Sequence, residues 1–196
     1  MAGIDRYGSH AATLDAHTYN MQQKLKIGNY LIPFYAVNTS ATLAMVADTL
    51  YLTPFFVARA MTIDRLAIQV TTAGAAGKIA RLGIYKNSTN IYPGDLVIDA
   101  GTVAVDAIAV VAATINQVLT KGLYFMAAVS DGTPEVRRWV PSFSPMGTFS
   151  TFFENIVEVY TKAAVGSGAL ANPCISGGIE TYAKAILVTP RLLSLD

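Results

Sequence analysis

The sequence predicts an all-β chain: an antiparallel β-sandwich over residues 41–196, preceded by an extended, partly helical N-terminal arm over residues 1–40. Three observations carry this. Apolar residues alternate with polar or small ones, as in Leu66, Ile68 and Val70 or Ala80, Leu82 and Ile84, the period of a half-buried strand. Turn signals punctuate these runs, at Thr72 to Gly77, Pro93-Gly94, Lys121-Gly122 and Ser130 to Pro134. No strand-helix alternation repeats, so about eight or nine short strands read as two antiparallel layers rather than a parallel sheet.

The arm comes first. Leu14, Met21 and Leu25, with Thr18 between them, keep a helical spacing from Thr13 to Lys26. Lys24 and Lys26 sit where cations suit the helix dipole, and Gly28 is placed to stop the helix. A helix this short needs something to dock on. Tyr30, Leu31, Ile32, Phe34 and Tyr35 follow, interrupted by Pro33, as in an arm lying in a groove. Leu14, Met21, Leu25, Tyr30, Leu31, Ile32, Phe34 and Tyr35 are therefore the candidate interface residues, toward a partner surface or a sister subunit.

Thr49 to Val57 is aromatic and β-branched, and Pro54 makes it an edge strand or a bulged one. Met61 and Ile63 have the opposite parity to Leu66, Ile68 and Val70, so a bulge is expected near Asp64-Arg65. After the Ala80 to Tyr85 strand, Asn87 to Gly94 is a polar loop. Asp95 to Asp99 resumes a strand, and Gly101 breaks its register before Val103 and Val105. Ile108 to Leu119 is a further strand, although its Ala and Val content also suits a buried helix. Leu123 to Val129 is apolar on both faces and so is central. Glu135 to Val140 returns as a strand.

Phe149, Phe152, Phe153, Ile156, Val157 and Tyr160 keep a helical period, whereas Val157 to Tyr160 alone reads as strand; both readings stand. Gly166 to Gly178 is a loop, and Tyr182 to Thr189 is the closing strand ahead of Pro190.

Composition bounds the function. A chain of 196 residues suffices for one sizeable domain, burying roughly 70% of its unfolded surface. Charged residues are only 14% and hydrophobic ones 53%, so sister subunits or other partners are expected to cover part of the surface. A net charge of +1, with scattered Lys and Arg, gives no footprint for nucleic acid. Cys174 is the sole cysteine, which leaves no intrachain disulfide and fits assembly in a reducing cytoplasm. No secretory leader is expected from Met1 to Arg6. The most apolar window, Ala107 to Thr120, falls short of the ~20 residues of a membrane span.

Reactive constellations are not expected. His10 and His17 have no carboxylate or thiol at ligand spacing, so no metal site is read there. Glu154 and Glu158 share a face if helical, and read as surface residues. Ser167, between Gly166 and Gly168, lacks the strand-to-helix setting of a nucleophile elbow. Tyr85, Tyr92, Arg137 and Trp139 have two readings: aromatic platforms for a sugar ring, or core and interface residues.

Tyr51 to Val57, Ile63-Asp64-Arg65, Ala80 to Tyr85, Pro93 to Val103 and Gly122 to Asp131, in this order and spacing, resemble a β module of tailed-bacteriophage virion proteins found in tail fibres and on capsid surfaces. The resemblance spans about the middle half of the chain. It implies a jelly-roll-like, non-enzymatic homotrimer without cofactors. Longer family members carry a fibre shaft, and the short arm here departs from them. The implied function is a capsid decoration or cement protein, binding the major capsid protein or other virion proteins through the arm and stabilising the shell. It would be located in the virion after assembly in the host cytoplasm. The alternative is a tail-fibre or receptor-binding module that takes a host-surface glycan on Tyr85, Tyr92, Arg137 and Trp139.

Overall fold

The computed structural model describes residues 25–32, 36–38, 41–89, 92–141, 159–174, 177–182 and 184–195. Among them are thirteen strands: β1 Ala36–Asn38, β2 Thr42–Ala44, β3 Leu50–Val57, β4 Met61–Thr72, β5 Ile79–Asn87, β6 Pro93–Ala104, β7 Val110–Leu119, β8 Gly122–Ser130, β9 Glu135–Pro141, β10 Val159–Lys162, β11 Ile179–Tyr182, β12 Ala185–Ile186 and β13 Thr189–Leu195. No α-helix occurs among the described residues. The expected helix from Thr13, and residues 149–158, lie outside them.

The strands form two antiparallel sheets. One has the order β11-β10-β3-β8-β5-β6. In the other, β4 is flanked by β7 on one side and by β13 and then β9 on the other, while β9 also pairs with β1, β2 and β12. β12 and β13 thus enter a fork: β12 lies on β9, β13 lies on β4, and β4 meets β9 directly at Val70 and Thr72.

The larger apolar cluster among the described residues draws on both sheets. Tyr51, Phe55 and Val57 of β3, Leu82 and Ile84 of β5 and Met126 and Ala128 of β8 meet Ile63, Leu66, Ile68 and Val70 of β4 and Leu192 of β13. The change of parity on β4 between Ile63 and Leu66 is a bulge, with Asp64 alone facing both Ile115 and Asn116 of β7. Gly101, at φ 82°, sits in the register break expected of it on β6. β8 is central, between β3 and β5, because its alternate faces are both buried. Phe125, Ala127 and Val129 join Leu50, Leu52, Tyr85 and Tyr160 in a second cluster on the far side of that sheet.

Other expectations need correction. The strands outnumber the eight or nine anticipated because β1, β2, β10, β11 and β12 are two to four residues long, too short to show a period. Pro54 does not make all of β3 an edge: β10 pairs with Leu50 to Leu52 and stops short of the proline. The closing strand does not end before Pro190 but runs through it to Leu195, with Pro190 opposite Leu66 and its carbonyl accepting from Leu31 N–H. By contrast, the strand expected over Ile108 to Leu119 is present, as Val110–Leu119.

Candidate functional site

Two regions bring the singled-out residues onto the β body. The first is the seat of the N-terminal segment. Gly28 N–H donates to Leu192 O (2.8 Å), Leu192 N–H to Asn29 O (3.0 Å) and Leu31 N–H to Pro190 O (2.8 Å), so residues 28–31 are held alongside β13, with Tyr30 bridged antiparallel to Arg191. Alternation along it sorts the side chains. Leu31 is buried in the main core and Leu25 packs half-buried against it, whereas Tyr30 and Ile32 are exposed. Beside Tyr30, Arg191 is paired with the Asp64 carboxylate, donating from Nε and Nη2. That hydrogen bond, only partly opposed by desolvation, holds Asp64 below the usual carboxylate range. Leu14, Met21, Phe34 and Tyr35 lie outside the described residues.

The second region is a strap, residues 163–174, across the outer face of the β3-β8-β5-β6 sheet. No residue in it is charged, so its anchors are backbone groups, apolar side chains and the Asn172 amide. Val165 N–H donates to Asp48 O and Cys174 N–H to Gly94 O, both at 2.9 Å. Tyr85 donates its hydroxyl to Ala171 O (3.0 Å), and Asn172 Oδ1 accepts from Leu96 N–H (3.0 Å). In the middle, Arg81 Nη1 bonds both oxygens of Asp99 at 3.0 Å while Arg81 Nε donates to Ser167 O. Asp99 also accepts from Gly101 N–H (2.9 Å) and Leu170 N–H (3.1 Å). Burial raises the Asp99 carboxyl, but these two amides and Arg81 together outweigh it, and the group lies below its ordinary range. Leu170 then drops onto Gly83, where no Cβ stands in the way.

The four aromatic and basic candidates are not brought together. Tyr85 is buried beneath the strap and presents no ring face to solvent; burial raises its hydroxyl pKa. Tyr92 is 45% exposed and stacks on Tyr160, with centroids 5.0 Å apart and planes at 26°. Tyr160 in turn tilts against Phe125 at 5.9 Å. Arg137, on β9 in the other sheet, donates from Nε to Gln69 Oε1. Trp139 lies on β9 opposite Ala185.

Sequence reasoning did not single out Arg81, Asp99 or Leu170. Opposite charges on successive strands were visible, but nothing local announces that a loop about 70 residues further on will cross above them.

Chemically, the arrangement offers surfaces and anchors. Among the described residues no group of three His, Cys, Asp or Glu side chains is placed to hold a metal ion, and no helix is long and apolar enough to cross a membrane. No protein-family model matches the chain, and no curated protein sequence matches it.

Proposed function

We propose that this chain is a virion structural protein of the tailed-bacteriophage kind, a capsid decoration or cement protein without enzymatic activity. Its body is a jelly-roll-like sandwich, homotrimeric, and its partly helical arm binds the major capsid protein and so stabilises the shell. The observation that carries this reading is the joint between arm and body. Residues 28–31 are bonded along β13 and Leu31 is anchored in the core, while Tyr30 and Ile32 face outward. A firmly rooted peptide is what a multipoint anchor requires, since docking at many copies multiplies weak contacts. The low charge, 14%, supports burial of part of the surface against other chains.

The test is co-sedimentation with purified phage heads assembled without the protein. The whole chain should bind and raise the temperature at which the shell opens. Deleting residues 1–24, which leaves the β13 pairing and Leu31 in place, should abolish binding without altering the thermal unfolding of the body. Binding that survives the deletion rules out the arm as the anchor.

A receptor-binding module is the second reading, favoured by one observation: Tyr92 keeps an exposed ring braced from behind by Tyr160. It predicts binding to host cells or to a glycan array, weakened by Tyr92→Ala. An array without hits removes it.

A further inference from the structure

The β7 edge is unlike every other long edge of the described β body. Among the described residues β7 pairs with β4 alone, and its ten residues, Val-Val-Ala-Ala-Thr-Ile-Asn-Gln-Val-Leu, include no charge and no proline. Other edges are guarded. β6 carries Pro93, Asp95, Asp99 and three register breaks; β13 is covered by residues 28–31; β3 beyond Leu52 has Pro54. β7 has one register break, opposite Asp64, but no charge or proline, and an edge strand so little guarded is a template for another strand.

Its backbone faces outward. Val70 N–H donates to Ala109 O (2.8 Å), which turns Ala109 toward β4; alternation turns Val110, Ala112 and Thr114 away from it. Further on, Gln117 Nε2 donates to Val118 O (2.8 Å), a side-chain donor where a neighbouring strand would supply an amide. The side chains agree. Val111, Ala113, Ile115 and Leu119 pack inward, while Val110 and Val118 are 61% and 53% exposed on the outer face, next to Ile108 at 72%. The bulge opposite Asp64 shifts parity on β4 and leaves it unbroken on β7.

We propose that β7 is where two copies of this chain meet, strand against strand across a twofold axis through Thr114. The occupant is a second copy because the strand is complementary to itself. Antiparallel pairing about Thr114 sets Val110 of one copy opposite Val118 of the other, Ala112 opposite Asn116, and Thr114 opposite Thr114. Each is a combination that cross-strand pairing favours or tolerates. A twofold axis sets any charge near it against its own copy, and β7 has none. The paired residues are of the narrow, hydrogen-bonded type, with Cα atoms about 5.5 Å apart. This contact is independent of the virion reading and joins copies in pairs, whatever other surface builds a trimer.

The test combines mass and cross-linking. By analytical ultracentrifugation at tens of micromolar, the parent chain should contain at least two copies. Thr114→Cys should yield a two-chain band with a short bismaleimide, whereas the parent, whose only cysteine is buried, should not. Thr114→Lys, at an exposed position, should keep the circular-dichroism spectrum and weaken the pairing roughly tenfold or more, by setting like charges face to face. A monomeric parent overturns the proposal. So does a three-chain particle whose Thr114→Cys variant gives no cross-link, or an unchanged mass distribution for Thr114→Lys.

Discussion

Replacing Gly83 by alanine tests how firmly the strap is seated. An added Cβ would overlap Leu170 Cδ1 and stand 2.9 Å from the Ile98 carbonyl oxygen. The leucine tip can swing aside; the carbonyl, held in the β5-β6 ladder beside its register break, has less room. Overpacking of this kind costs about 1–3 kcal/mol. Leu170→Ala alone empties a buried site and costs about 2–3 kcal/mol, the lower part of the range because a loop can settle inward. The two changes touch the same space. In the double variant the methyl introduced at position 83 moves into room that Leu170 has left, and only the Ile98 contact remains. The double should therefore cost about 1–2 kcal/mol less than the sum of the singles. Urea unfolding of the four proteins with shared slopes measures this. Additivity within about 0.5 kcal/mol would refute the claim that Leu170 seats on Gly83.

Four further outcomes are expected. Asp99 is depressed in the folded chain, so its contribution is complete above the unfolded carboxylate value of about 4 and is lost as pH falls through the lower folded value. Asp99→Asn should flatten the stability profile below about pH 4, and an unchanged acid limb would contradict it. Thr53→Val removes the hydroxyl donated to Ile186 O, which keeps its bond from Val188 N–H; urea titration should show a loss of about 0.5–1.5 kcal/mol, and no more. Leu31→Ala should cost about 2–5 kcal/mol in the same titration because Leu31 is a core residue, whereas Ile32→Ala, at an exposed position, should cost under about 0.5. Burial pushes the Cys174 thiol up to about 11, so at pH 8 an aromatic disulfide reagent should react with it only after denaturant is added.

The long strands were legible because each carries enough alternating side chains to declare a face. Leu66, Ile68 and Val70 defined one, and the parity conflict with Met61 and Ile63 was sufficient to locate the bulge. β8 declared its central place by being apolar on both sides. What escaped was set by distant partners. β12 has two residues, and its existence depends on Trp139 and Arg138 lying alongside. Pro190 forbids an amide donor, yet its carbonyl and its position on β13 still serve Leu31 and Leu66. Tyr85 and Tyr92 looked alike as aromatic residues beside a polar loop. The strap buries one and leaves the other exposed, a distinction written in residues 163–174.

The fork occupied by β12 and β13 has a consequence for the order in which the chain can fold. β4 waits on one flank for residues that leave the ribosome well over a hundred positions later, and Leu31 waits longer still. Ladders of such long sequence separation form slowly, because loop closure is unfavourable until the far partner arrives. Until then the half of the body around β4 presents Ile63, Leu66 and Leu31 without Leu192 above them. A nascent chain stalled after β9 therefore leaves these apolar residues uncovered, a condition that favours aggregation.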